Sequence, residues 1–170
     1  MIAEHLKIVF DKYYDLPASF CQSVAQLGEV VTIGKETTIK STNKVENYLY
    51  FIVKGSGGIL LWNKNNFIFT DMVLENDFLC DYLSFITREA TPYEVLTFEE
   101  STLFKISYTA LSEFTAHSEY GDKFWRYATT ALYVEKQGHY IQTVTQTATE
   151  VYRRIMTYEP GIIQRIPQKF

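Results

Sequence analysis

The period of apolar and polar positions along this chain changes twice. In the opening stretch Ile2, Leu6, Val9 and Phe10 fall on one helical stripe, which Pro17 interrupts. A second short helix is predicted next, with Pro17 at its first turn, Gly28 near its end, and Phe20, Val24 and Leu27 on its buried face. From Glu29 to about Ile106 the helical period gives way to short apolar runs: "EVVTI", "TTIK", "YLYFIV", "GGILLW", "NFIFTDMVL", "YEVLTF" and "STLFKI". The links "STNKVEN" and "NKNN" are rich in Asn and Lys and have the composition of hairpin turns. Short strands at this spacing predict an antiparallel sandwich or barrel of the jelly-roll kind.

Within "YLYFIVKGSGGILLW", residues 48 to 62, three glycines break what is otherwise one apolar run. Glycine inside a strand marks a bend, a bulge or a close backbone approach. Gly55, Gly57 and Gly58 therefore predict two strands meeting at a tight corner.

The helical period returns at Tyr108, where "TALSEF" makes a short helix, and Glu119 opens an uninterrupted segment reaching about Tyr158. In it Tyr120, Phe124, Tyr127, Ala131, Val134, Gly138, Ile141, Thr145, Ala148, Tyr152 and Ile155 recur by fours and threes, as in a coiled-coil seam. A helix of ~38 residues would be ~57 Å long. A domain of this size offers little surface to bury such a length, so the seam predicts a homodimer through this helix. The other reading is a helix folded back on its own β domain. Ala131, Gly138 and Ala148 are small enough for close helix–helix approach, although Gly138 weakens the helix.

Composition narrows the function. The chain of 170 residues suffices for one domain with a sizeable core plus an appendage, and its 13 Tyr and 12 Phe suit a sheet-rich core. A formal net charge of -4 gives no basic footprint for nucleic acid across the whole chain. Cys21 and Cys80 cannot supply a four-cysteine cluster and are expected as reduced, buried thiols. No signal-like or bilayer-length apolar run occurs, so a cytoplasmic protein with no membrane partner is expected. His5, His117 and His139 all lie outside the β segment, so neither cupin-type metal catalysis nor any metal site is predicted. No G-x-S-x-G nucleophile motif occurs. The chain is expected to be no enzyme and to need no cofactor.

Against this background "LYFIVKGS" closely resembles the corresponding stretch of the cyclic-nucleotide-binding domains of catabolite-activator (Crp/Fnr-type) transcription regulators. "NDFLCDYLSF" is similar to their "GDFIGE" segment, and "STLFKISYTALSEF" to the strand and short helix that follow. The resemblance implies an α+β fold: an antiparallel β jelly roll (double-stranded β-helix) with short N-terminal helices and a long C-terminal dimerisation helix. It divides the chain into a sensor domain over 1–118, the dimerisation helix over 119–158, and the start of a DNA-binding domain over 159–170. It also makes Gly55, Gly57 and Gly58 structural β-roll corners.

In that family a cassette binds the cyclic phosphate through a glycine backbone, an acid for the ribose hydroxyl and an arginine for the phosphate. Convergent donors and a fixed positive charge are what an anion site needs. In an ungapped reading the glycine position holds Cys80, the acid position Asp81, and the arginine–serine position Thr91 and Pro92. The counter-charge is lost, and Pro92 has no N–H to donate. Arg88, three residues earlier, could reach in. A pocket is expected between residues 80–92 and the long helix, with Lys136 and Gln137 facing it. The resemblance thus implies the ligand-sensing and dimerisation part of a transcription regulator, with a degenerate phosphate cassette and an unknown small-molecule effector. DNA would be read only through a helix-turn-helix that these residues do not include. The alternative is a stand-alone dimeric regulatory module without DNA binding. Arg153, Arg154, Arg165 and Lys169 make the last stretch basic, which suits either the entry to a DNA-binding domain or a solvated tail.

Overall fold

The computed structural model describes residues 2–147, with Thr143 by its backbone only, and beyond them residues 149, 150, 153, 157, 161 and 165. Two short helices, α1 (Ile2–Phe10) and α2 (Ala18–Gln26), precede the strands. Leu6, Val9 and Phe10 of α1 and Phe20, Cys21 and Val24 of α2 are buried. Leu27, expected on the buried face, is instead the C-terminal cap residue of α2 and is partly exposed.

Eight strands follow: β1 (Glu29–Ile33), β2 (Thr38–Lys40), β3 (Tyr48–Lys54), β4 (Gly57–Asn63), β5 (Asn66–Val73), β6 (Phe78–Leu79), β7 (Tyr93–Thr97) and β8 (Ser101–Ser107). They form two four-stranded antiparallel sheets, ordered β1-β8-β3-β6 and β2-β7-β4-β5, which is the predicted jelly roll. A short helix, α3 (Tyr82–Thr87), which the apolar pattern did not signal, sits between β6 and β7. Then come α4 (Tyr108–His117) and α5 (Gly121–Thr145).

The unbroken apolar run of β3 follows from its place in the layers. Side chains alternate across a strand, so a strand covered on both faces needs apolar residues at every position. Leu49 and Phe51 join the helical layer, with Leu6, Phe20, Leu111 and Phe124. Tyr50 and Ile52 point between the sheets, against Ile59, Val95 and Leu103. Strand β8 repeats the division, with Leu103 inside the sandwich and Phe104 and Ile106 under the helices.

The glycine corner joins β3 to β4. Gly55 has φ +105°, and a Cβ there would come within 2.8 Å of the Ser101 Cα. Gly58 lies under the Phe98 ring, where a Cβ would come within 2.8 Å of Cε2.

Helix α5 departs from its predicted span. It starts at Gly121 and stops at Thr145, where Gln146 turns extended with ψ 144°, instead of running from Glu119 to about Tyr158. Thr147 and Glu150 supply the reason. The Thr147 backbone N–H donates to the Glu150 carboxylate at 2.7 Å, and the Glu150 N–H donates to the Thr147 hydroxyl at 3.3 Å. This is a capping box, which starts a new helix rather than continuing the old one. Residues 149, 150, 153, 157, 161 and 165 are helical. Ala148, Tyr152 and Ile155 of the stripe, and all of 159–170 except 161 and 165, lie outside the described residues.

The predicted stripe on α5 straddles two faces. Phe124 is buried in the core of its own subunit, its ring 5.3 Å from that of Phe10 and 5.6 Å from that of Phe20. Tyr127 stacks on Tyr14 at 4.4 Å, and Ala131 lines a cavity between α5 and the β-roll. Only the later members leave the domain: Val134 and Ile141 are exposed, and a Cβ on Gly138 would meet nothing within 4 Å. The first half of α5 is thus folded onto its own β-roll. Among the described residues no helix is long and apolar enough to cross a membrane.

Candidate functional site

The segment between β6 and β7 carries the cassette positions. Asp81 precedes α3 and caps it, one carboxylate oxygen accepting from the Ser84 N–H at 3.2 Å. Its other oxygen accepts from the Lys40 ammonium at 2.8 Å and from the Thr91 hydroxyl. Lys40 stands at the end of β2 and also donates to the Thr91 hydroxyl at 2.8 Å and to the Tyr93 carbonyl at 2.7 Å. An ammonium has three donors, and all three are engaged by these groups. The side chains of Lys40 and Asp81 are 2% and 1% exposed, so the pair is fully withdrawn from water. Lys40 was missed in the sequence because a lysine closing a short strand reads as solvated. Its partners lie 41 and 51 residues away.

Glu46 borders this network. Its Oε1 accepts from the Tyr48 N–H at 3.1 Å, its own N–H donates to the Ser84 hydroxyl at 2.9 Å, and its buried Oε2 has no hydrogen-bond partner. Burial, with Asp81 nearby, raises its carboxyl to about 7. Burial likewise pushes the Cys80 thiol well up, and its Sγ approaches the Tyr48 carbonyl at 3.6 Å. Cys21 and Cys80 are both free and buried.

The other cassette candidates lie away from the cleft. Arg88 occupies the left-handed C-cap of α3 with φ 61°. Its guanidinium donates to the Glu46 carbonyl at 2.5 Å and to Asn47 Oδ1 at 2.6 Å, and it stacks over the Tyr108 ring at 4.2 Å. These protein groups hold the Arg88 side chain, and it is not among the described residues that line the neighbouring cleft. The Pro92 carbonyl accepts from the Trp62 N–H at 3.1 Å.

A cleft of about 280 Å³ lies between this segment and α5, lined by Thr70, Asp71, Asp81, Tyr93, Leu132 and Lys136 among others. That is at the small end of the ~300–1,000 Å³ usual for ligand pockets. Cys80 also lines it, whereas Gln137 is exposed and does not. Lys136 pairs with Asp71 of β5. A partly open cavity of about 90 Å³ adjoins it, where Asp71, Asp77, Glu135 and Lys136 meet Tyr13, Tyr82 and Phe124. Burial raises the carboxyls of Asp77 and Glu135; Asp71 pushes both further, and Asp77 adds to the rise at Glu135. The chemistry facing this space is acidic, with Lys136 the cation among its described lining residues.

No known family model and no curated protein sequence matches this chain. Solved structures match it through their architecture. A cyclic nucleotide-binding domain from Methylobacillus flagellatus superposes with a TM-score of 0.74 at 13% identity, over 85% of this chain and 84% of that one. The sensor domain of the transcriptional regulator DNR from Pseudomonas aeruginosa gives 0.61 at 13% identity, over 85% and 92%. The catabolite activator protein of Thermus thermophilus gives 0.64 at 7% identity, over 78% of this chain and 62% of that one. The fold is that of the cyclic-nucleotide-binding sensor domains found in Crp/Fnr-type regulators. At these identities the likeness is one of fold.

Proposed function

We propose that this chain is the ligand-sensing and dimerisation part of a Crp/Fnr-like transcription regulator whose phosphate cassette is degenerate and does not bind cyclic AMP tightly. One observation carries the reading: Lys40 fills the cassette from within. Asp81, the acid that would hold a ribose hydroxyl, is closed by the Lys40 ammonium and the Thr91 hydroxyl. Arg88 is bound to Glu46 and Asn47. A cyclic phosphate would enter a cleft holding Asp71 and Asp81, and among its described lining residues the one cation, Lys136, is paired with Asp71. The effector that suits this cleft is small and not anionic. DNA recognition, in this reading, belongs to a helix-turn-helix outside these residues, and α5 brings two copies together. The fold it shares with the sensor domain of a transcriptional regulator supports the assignment.

Isothermal titration with cyclic AMP tests the cassette. A charge-assisted phosphate contact is worth roughly 1.5–3 kcal/mol, so its loss alone weakens binding about ten- to hundredfold. No binding in the low-micromolar range is expected, and a constant at or below that range would sink the proposal. A second reading, a stand-alone dimeric regulatory module without DNA binding, is favoured by Arg165. This residue of the basic terminal stretch is forked between Glu75 and Glu99, at 2.7 Å from each, and so is not offered to phosphates.

A further inference from the structure

We propose that Asp71, Glu135 and His139 form a divalent transition-metal site that pins α5 to the β-roll. The inference goes beyond the regulatory reading above and does not depend on it. Among the described residues these three side chains each offer one ligand atom, and the three atoms lie within 4.8 Å of one another. Two elements build the site. Asp71 projects from β5 with its side chain 12% exposed, while Glu135 and His139 stand four residues apart on one face of α5. One imidazole nitrogen and two carboxylates are a mixed donor set suited to Zn²⁺, Co²⁺ or Mn²⁺ rather than to the all-oxygen shell that Ca²⁺ takes.

A second observation supports an ion there. Asp71 and Glu135 both line the partly open cavity of about 90 Å³, and Asp71 also borders the neighbouring cleft. Asp71 and Glu135 therefore have space beside them for an ion, with room for a water ligand, and His139 stands one turn along α5 from Glu135. Asp77 lines the same cavity and adds negative charge. Lys136 competes, because its ammonium is paired with the Asp71 carboxylate that the ion would take. Metal and ammonium are thus alternative partners of one carboxylate. The ion joins α5 to β5 through two ligands on the helix, where Lys136 joins them through one.

The chain, freed of metal by a chelator, is titrated with Zn²⁺ alone by calorimetry, and Co²⁺ is added separately for its visible spectrum. A one-to-one complex is expected, with Co²⁺ ligand-field bands and no thiolate charge-transfer band. His139→Gln and Asp71→Asn should each weaken Zn²⁺ binding at least about tenfold. Glu135→Gln, at an exposed position, gives the same readout if Asp71→Asn does not fold. Lys136→Met should tighten binding about fivefold by removing the competing ammonium. His117→Gln, on α4, should change nothing. The proposal is overturned by absent Zn²⁺ binding, by equal affinity in the His139→Gln and His117→Gln proteins, or by a thiolate band assigning the metal to cysteine.

Discussion

Gly55 and Gly138 show how one residue type answers to two different environments. At Gly55 the backbone has φ +105° and Ser101 stands where a Cβ would be. Gly55→Ala is therefore expected to lower stability by about 2–4 kcal/mol. Gly138 sits inside a helix with nothing within 4 Å of a Cβ, so Gly138→Ala should add about 0.5–1 kcal/mol. Chemical denaturation of the two variants measures both effects, and a destabilising Gly138→Ala would mean that another surface packs against that turn. Glu46 makes a pH-dependent prediction. Its folded-state carboxyl is raised to about 7, whereas in the unfolded chain it ionises near its ordinary ~4.3. Between those values the folded protein holds a proton that the unfolded chain has released. The group's contribution is therefore complete below about pH 4 and is lost as pH rises through about 7. Glu46→Gln stays uncharged throughout. It should match the parent near pH 4 and exceed it at about pH 8 by on the order of 3–4 kcal/mol. Equal urea midpoints for the two proteins at about pH 8 would count against the buried carboxylate as the cause.

Among the elements, α5 has the most to decide. Its first half is covered by the domain through Phe124, Tyr127 and Ala131. Its second half presents Tyr133, Val134, Tyr140, Ile141 and Val144, each more than half exposed. These five lie at i, i+1, i+7, i+8 and i+11, a stripe on the side away from the β-roll. A second copy related by a two-fold axis would cover it with its own identical stripe. Val134→Glu combined with Ile141→Glu should convert a dimer to a folded monomer in sedimentation experiments, with secondary structure unchanged. Phe124→Ala should instead destabilise the subunit itself by about 3–5 kcal/mol, the cost of truncating a buried Phe. A parent chain that sediments as a monomer at high micromolar concentration would remove the seam from the reading.

At the scale of the whole molecule, Lys40 and Asp81 tie the β2-β7-β4-β5 sheet to the segment that enters α3. Removing one partner leaves the other as an uncompensated buried charge, so Lys40→Met should cost about 3–5 kcal/mol. Lys40→Met together with Asp81→Asn should recover much of that loss, since no ion is then stranded. Urea unfolding of the single and double variants decides it, and a single substitution as mild as a surface change would show the pair to be open to water. Arg165 makes a second long-range tie, reaching Glu75 and Glu99 from 66 to 90 residues away and holding the Glu75 carboxyl down at about 2.

What the sequence determined by itself is what periodicity and local sterics encode. Runs buried on both faces, such as "YLYFIV", must be apolar at every position, and a corner at φ +105° packed against Ser101 must be glycine, so strands and corner were legible without coordinates. The helical stripe of α1, most of that of α2 and the jelly-roll class were legible for the same reason. The break after Thr145 was also written locally, in the Thr147–Glu150 capping box, but the longer apolar period masked it. What only the tertiary structure decided concerns pairs distant in sequence. Lys40 has an ordinary strand-end setting until Asp81 and Thr91 are folded around it. His139 lies outside every strand, yet the fold sets it beside Asp71, 68 positions earlier in the chain. A heptad stripe states that a helix face is apolar and not which neighbour covers it. The domain's own aromatic layer took Phe124 and Tyr127, and solvent faces Val134 and Ile141. Hydrophobic burial has no direction along the chain, so only the folded packing could choose between those partners.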